Sequence, residues 1–278
     1  MAGENPTETG GPDGLRPILE AVAGGRLTVE EGLRLLPLLQ VGVLGEFARL
    51  DLGRHLRKGV PEVVYAPRKT DAALAAIVNC FLADRGLALV SRLAPERCAA
   101  LEAALEGPRV SYQPDAGIFE AVMPWYRGPE PSGYVGILTA GTSDIPVAEE
   151  AALVVRHMGC HVERAYDVGV AGVHRLLEPL AAMISGGADV LVVAAGMEGA
   201  LPSVVAGLVD VPVIGLPTST GYGLGGDGTA AILSILQSCS PGLLAVNIDN
   251  GVGAGAAAGL IAGRRHPESR KSGAKEDF

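Results

Sequence analysis

Ala188-Asp189-Val190-Leu191-Val192-Val193-Ala194 runs straight into Ala195-Gly196-Met197-Glu198-Gly199, an apolar segment of strand length that ends on a polar, glycine-rich tip. The same construction occurs earlier, where Gly133–Thr139 (GYVGILT) is followed by Ala140-Gly141-Thr142-Ser143-Asp144. It recurs later, where Val211–Leu216 (VPVIGL) leads into Pro217–Gly228 (PTSTGYGLGGDG). Short unbroken apolar runs are the pattern of strands buried on both faces, and a helical pattern follows each tip. The spacing predicts strands near 134–139, 161–166, 189–194, 212–216 and 243–248, with helices near 146–158, 173–184, 200–208, 228–237 and 253–262. Strands alternating with helices argue an α/β fold, a doubly wound parallel sheet, with a flavodoxin-like strand order as the first choice. In such sheets ligands sit outside the carboxyl ends of the strands, where these tips gather.

Working outward, Pro124–Gly133 (PWYRGPEPSG) separates this half from a smaller mixed α/β region. The expected organisation is a disordered tail over 1–13, an N-terminal domain over 14–127, a catalytic domain over 128–263 and a second disordered tail over 264–278. In the first half, Thr28-Val29-Glu30-Glu31 fits a capping box before Leu33, Leu35 and Leu36, and Pro37 is expected to end that helix. Thr70–Ala83 and Pro95–Leu105 read as helices, Leu87–Val90 as a strand, and Val110–Ala121 as a short strand and turn.

The chain carries 22 Lys and Arg against 31 Asp and Glu, for a net charge of −9, and only 4% of its residues are aromatic. With no basic block and few rings to stack on, a nucleic-acid binder or a protein of anionic membrane surfaces is not expected. No charge-free run is long enough to span a bilayer. Met1–Leu15 lacks the basic start and apolar centre of a signal peptide, so cytoplasm is the expected compartment. Cys80, Cys98, Cys160 and Cys239 have no metal-type spacing and read as thiols there.

The tips hold the candidate site. Gly141, Thr142, Ser143 and Asp144 precede a helix start, where free N–H groups favour an anion and the hydroxyls add donors. Asp144 is placed to meet ribose hydroxyls or a proton. Glu198, flanked by Gly196, Met197 and Gly199, is a candidate general base at a partly desolvated tip. For Asp144 and Glu198 the plain alternative is a helix cap. Thr218, Ser219, Gly221 and Gly223 belong to a glycine-rich loop suited to close approach of a phosphate, without the Lys and Ser/Thr ending of a Walker loop. His174 and Arg175 open the helix after the second strand and suit a phosphate or carboxylate. Cys239, taken by composition alone, is a small core residue.

The second half resembles the aminoimidazole ribonucleotide (AIR) carboxylase and mutase family through Gly141-Thr142-Ser143-Asp144, Leu201-Pro202, Pro212-Val213-Ile214-Gly215 and Gly253-Ala254-Gly255. From about Leu50 to Gly263 the chain is more similar to the LarB family. The specific pieces are Ala48-Arg49-Leu50-Asp51, Arg57-Lys58-Gly59-Val60-Pro61-Glu62-Val63, Gly172-Val173-His174-Arg175, Ala195–Pro202 (AGMEGALP), Pro217–Gly223 (PTSTGYG) and Leu236–Gly242 (LQSCSPG), followed by Val246–Gly251 (VNIDNG).

That resemblance implies a carboxylase/hydrolase of nickel-pincer nucleotide biosynthesis. It would convert nicotinic acid adenine dinucleotide, carbon dioxide and water to pyridinium-3,5-biscarboxylic acid mononucleotide and AMP. The resemblance makes Cys239 the nucleophile, adding to the pyridinium C4, and Glu198 the base for the C5 proton or the thiol proton. Asp144 and Ser143 are implied to hold ribose or phosphate, and Arg57 and Lys58 to offset substrate charge. Magnesium is expected to enter through the substrate phosphates, with no dedicated protein metal site, and nickel belongs to a later step of the pathway. Cys239 follows the helix after the fourth strand and so falls at the face opposite the tips; the resemblance therefore implies a homo-oligomer, an octamer by family analogy, in which Cys239 completes a neighbour's site. Two other readings stand beside this one. One is an aminoimidazole ribonucleotide carboxylase or mutase, although its Ala-His-Leu-Pro-like segment is here Gly199-Ala200-Leu201-Pro202, without the His. The other is a non-enzymatic nucleotide-sensing module.

Overall fold

A computed structural model describes residues 12–35 and 41–265. Contacts divide the chain into two compact units, one holding residues up to Tyr112 with Phe119–Tyr126, the other Gln113–Ile118 and everything from Arg127 onward.

The first unit opens with helices α1 (Pro12–Ala23) and α2 (Val29–Leu35). The start of α1 at Pro12 differs from the tail expected through residue 13. At α2 the capping box forms as expected: Thr28 N donates to the Glu31 carboxylate and Glu31 N donates to Thr28 Oγ1. Leu36 and Pro37 lie outside the described residues. A hairpin of β1 (Val41–Leu44) and β2 (Ala48–Asp51) follows. It escapes a reading by periodicity because each strand is four residues long and Gly42 interrupts the first. A short α3 (Arg54–Lys58) ends on Gly59, whose φ of 66° suits glycine.

The four-stranded sheet of this unit has the order β3 (Val63–Tyr65), β4 (Leu87–Ser91), β6 (Ile118–Val122), β5 (Arg109–Gln113). Strands β3 and β4 are parallel because α4 (Asp71–Arg85) crosses between them; α5 (Pro95–Ala103) then leads to β5. Thr70 caps α4 through Ala73 N and Gly86 ends it. The core joins Leu74, Val78 and Phe81 of α4 to Val64, Val90 and Phe119 of the sheet. Two strands occupy 109–122 where the sequence predicts one strand and a turn.

The second unit is a five-stranded, all-parallel sheet: β7 (Tyr134–Thr139), β8 (His161–Ala165), β9 (Val190–Ala195), β10 (Val213–Pro217) and β11 (Leu243–Ala245). Its spatial order is β11-β10-β9-β7-β8, the flavodoxin-like order expected, read from the far edge. The connecting helices are α6 (Ile145–His157), α7 (His174–Ser185), α8 (Ala200–Ala206), α9 (Thr229–Leu236) and a final α10 (Gly251–Arg265). The last of these runs two residues past the Gly263 limit read from composition.

Side chains alternate across the sheet as the pleat requires. Ile137, Val190, Val192 and Ile214 face α6 and α10, meeting Ala151, Ala152, Ala254 and Ala258. Leu138, Leu191, Val193 and Val213 face α7 and α8, meeting Leu176, Met183, Leu201 and Val205. The alanine-rich α6/α10 face lets helix and helix approach closely: a Cβ at Gly255 would stand 2.5 Å from the Ala151 carbonyl. Edge strand β8 is tied to α6 through Glu149, which accepts from both Arg164 and Tyr166. No described helix is long and apolar enough to cross a membrane.

Candidate functional site

Chain reversal puts the switch point of the sheet between β7 and β9, where the crossovers leave in opposite directions. A cavity of about 500 Å³ opens there, at the carboxyl ends of the strands. Four tips line it: Ala140–Asp144 after β7, Asp167–Arg175 after β8, Ala195–Leu201 after β9 and Thr220–Tyr222 after β10.

Asp144 anchors this arrangement. It is 3% exposed and ends a 3-10 turn, Thr142–Asp144, that leads into α6. One carboxylate oxygen accepts from Gly141 N at 2.8 Å. The other accepts from Thr218 Oγ1 and Thr220 Oγ1, each at 2.6 Å. Three protein donors thus meet the carboxylate that the sequence offers to a ribose or a proton. Asp144 joins the tip after β7 to the loop after β10, two segments separated by 74 residues.

The β9 tip is held by close packing. Met197 N donates to the Thr220 carbonyl, and Gly199 N to the Gly196 carbonyl. A Cβ at Gly196 would fall 2.0 Å from that Thr220 carbonyl oxygen. Gly196→Ala is therefore expected to cost about 3 kcal/mol of stability, as overpacking against backbone does. It is also expected to open the Met197–Thr220 contact and weaken ligand binding at least about tenfold. Urea denaturation and ligand titration of the same variant check both effects.

Met197 has φ 51° and Gly199 φ 62°, so the tip turns sharply enough to carry Glu198 to the cavity rim. There Glu198 is exposed; the expected partial desolvation is not supplied by this chain alone. The base of the long loop is pinned from β11's side, where Asp249 accepts from Ser219 N at 2.8 Å and Ser219 Oγ at 2.6 Å. Beyond that pin the loop is open, with Tyr222 82% exposed.

Arg175 lines the cavity and pairs with Asp167, whose own N–H donates to Thr139 Oγ1. His174, its neighbour, is exposed and does not line the cavity. Of the residues singled out in the sequence, Gly141, Ser143, Asp144, Arg175, Gly196, Met197, Glu198 and Gly221 line it. Thr142, Gly199, Thr218, Ser219 and Gly223 stand in the same tips without lining it, and Thr218 is fully buried as a support for Asp144. Asp167, Thr220 and Asp249 are additions from the structure. Asp167 carries a local signal, a polar residue two positions after a strand; the partners of Thr220 and Asp249 in the tips are distant in sequence and leave none.

Cys239 is exposed and absent from this cavity. Neighbouring Ser240 donates to the Ser203 carbonyl near the end of α8, and Gly242 leads into the first residue of β11. Cys239 thus sits at the amino-end face of the sheet, as the chain order implies. About 16 Å of strand, at 3.3 Å per residue, separates that face from the tips. Leu233 and Leu236 of α9 and Leu244 of β11 are exposed. Arg57 of the first unit is held by Asp51 through two hydrogen bonds, and that guanidinium keeps the Asp51 carboxyl below its usual range; Lys58 is exposed. Among the described residues no group of three His, Cys, Asp or Glu side chains is placed to hold a metal ion.

Comparison with known proteins agrees with this layout. The AIR carboxylase family model matches residues 134–276, and a LarB/PurE-like N-terminal domain model matches residues 42–122. An uncharacterized protein of Methanocaldococcus jannaschii is 42% identical over 255 residues, covering 91% of this chain and 98% of its own length. The N5-carboxyaminoimidazole ribonucleotide mutase of Thermotoga maritima is 31% identical over 141 residues, or 48% of this chain and 77% of the mutase. That of Pyrococcus horikoshii is 32% identical over 142 residues, 49% and 76% respectively. The chain belongs to the AIR carboxylase family, its catalytic-type domain preceded by a LarB/PurE-like N-terminal domain.

Proposed function

We propose that this protein carboxylates the pyridinium ring of nicotinic acid adenine dinucleotide and hydrolyses its phosphoanhydride, giving pyridinium-3,5-biscarboxylic acid mononucleotide and AMP. The observation that carries this reading is the pairing of a LarB/PurE-like N-terminal domain with an AIR carboxylase domain in one chain. The family supports carboxylase or mutase-type chemistry in general; the exposed thiol of Cys239 supports the pyridinium substrate in particular.

A pyridinium is electron-poor and does not attack carbon dioxide. Addition of the Cys239 thiolate at C4 forms a C–S bond and moves an electron pair to the ring nitrogen, leaving an enamine nucleophilic at C5. That carbon bonds to carbon dioxide. Glu198 takes the C5 proton, and departure of the thiolate restores the aromatic ring. Water then cleaves the phosphoanhydride into two phosphomonoesters. Asp144 keeps the β7 tip and the glycine-rich loop in register, so that Gly141 and Ser143 meet the ribose phosphate. Magnesium, arriving on the pyrophosphate, would neutralise its charge.

Cys239 reaches such a site only from another copy of the chain. A homo-oligomer with shared sites is the arrangement this reading needs, and the exposed Leu233 and Leu236 of α9 are available for a subunit contact.

Arg175 is the cation for a phosphate or the ring carboxylate. Arg175→Ala is expected to raise KM about tenfold to a hundredfold with a smaller change in kcat, the loss of a charge-assisted hydrogen bond. Asp167→Asn, which frees the guanidinium it positions, is expected to raise KM by a smaller factor and leave kcat nearly unchanged. Steady-state AMP release measures both.

The test of the function is bicarbonate-dependent release of AMP from nicotinic acid adenine dinucleotide, with N5-carboxyaminoimidazole ribonucleotide tried in parallel. Turnover of the purine substrate alone would assign the chain to the mutase reaction that its relatives' names carry. Binding without turnover of either would point to a sensor.

A further inference from the structure

The first unit has a cavity of its own, about 740 Å³, that the reaction above does not use. Its floor is one face of α4, where Ala73, Ile77 and Phe81 recur every four residues and so stack along the helix. One wall is the β1–β2 hairpin from Phe47 to Asp51, and the opposite rim is the β3–α4 connection from Tyr65 to Thr70. The N-terminal end of α4 opens onto that rim, adding positive potential.

The charge is unusual for this protein. Arg49, Arg54, Arg68 and Lys69 line the cavity against only Asp51 and Glu62, a local excess of two positive charges in a chain of net charge −9. The inner pair is committed. Arg54 Nε lies 2.7 Å from Glu62 and 3.6 Å from Asp51. The Glu62 oxygen facing it is sealed from solvent and meets the guanidinium as an ion pair without hydrogen-bond geometry. Burial pushes the Glu62 carboxyl up, against the pull of Arg54. The outer cations are not committed in this way. Arg49, on the hairpin, and Arg68, on the opposite rim, make no ion pair or side-chain hydrogen bond with the described residues, and both are exposed. Lys69 Nζ donates to the Tyr65 carbonyl and has two further donors.

We propose that this cavity is a second ligand site, which takes a nucleoside monophosphate: the planar base against the α4 floor, the phosphate on Arg49, Arg68 and Lys69 at the mouth. The size suits a ligand of that class. Two guanidinium groups lining one cavity suit the oxygens of a phosphomonoester, whose charge of about −2 matches the local excess. The proposal does not depend on the reaction assigned to the other unit.

The experiment is calorimetric titration of the full chain with AMP and, separately, inorganic phosphate. Variants are Arg49→Glu/Arg68→Glu, Ala73→Leu, which fills the floor, and Arg175→Ala, which weakens phosphate binding in the other cavity. AMP is expected to bind the wild type and Arg175→Ala with affinities within about twofold of each other. The charge-reversed pair is expected to bind at least about thirtyfold more weakly, Ala73→Leu about tenfold more weakly, and phosphate alone at least about tenfold more weakly than AMP. Circular dichroism and thermal melts check each fold, with Arg49→Gln/Arg68→Gln replacing the pair if charge reversal prevents folding. AMP binding unchanged in the double variant overturns the proposal. So does binding lost only in Arg175→Ala, phosphate as tight as AMP, or no AMP binding at millimolar concentration.

Discussion

Cys239→Ala is expected to reduce formation of the dicarboxylated mononucleotide by at least about a thousandfold, the scale at which removing a covalent nucleophile acts. Without the thiolate the ring never becomes an enamine, and neither Glu198 nor the phosphate contacts replace that step. Substrate affinity should change little, because the tips that line the cavity hold the substrate before the neighbouring copy's thiol adds to its ring. The same geometry predicts complementation. Mixed oligomers of Cys239→Ala subunits with Glu198→Gln subunits should recover part of the activity, since a wild-type thiol from one copy can meet a wild-type glutamate from another. Activity assays on the separate variants and on co-expressed mixtures measure this. Full activity of Cys239→Ala would remove the thiol from the mechanism, and absence of complementation would remove the shared site.

Asp144→Ala is expected to be the costliest single change to the second unit, about 4 kcal/mol. A buried carboxylate that accepts from one backbone N–H and two hydroxyls is deleted, and three donors lose their partner. Thr218 is fully buried, so its hydroxyl has no water to turn to and only Thr220 Oγ1, 2.7 Å away, as a replacement partner. Asp144→Asn keeps one acceptor oxygen and should cost about half as much. Equilibrium urea denaturation distinguishes them, and a cost under about 1 kcal/mol for Asp144→Ala would show that the network is not what holds the two tips together. Activity should fall with stability in both, because the Gly141–Ser143 tip and the glycine-rich loop are aligned through this one side chain.

The centre of the sheet was legible because β9 and β10 are unbroken apolar runs, and nothing but a two-sided burial favours Val190-Leu191-Val192-Val193 in succession. The tips were legible for the complementary reason: glycine, threonine and serine directly after such a run break its apolar pattern. What those residues touch was not legible. Asp144 presents the same local pattern whether it caps a helix, binds a ribose or clamps Thr218, and only the parallel pairing of β10 beside β9 decides for the clamp. The solvent exposure of Glu198 was likewise hidden, since it follows from the sharp turn at Met197 and not from composition. In the first unit the four-residue strands of the β1–β2 hairpin are too short for alternation to register. The amino-end position of Cys239 needed only strand order, and so could be reasoned from the chain.

The most direct measurement is mass spectrometry of the products formed from nicotinic acid adenine dinucleotide, carbon-13 bicarbonate and magnesium by the purified protein, with Cys239→Ala alongside. The account predicts one labelled carbon in a pyridinium-3,5-biscarboxylic acid mononucleotide, an equal amount of unlabelled AMP, and neither from the variant. AMP without label in the mononucleotide, or no product despite substrate binding, would contradict it.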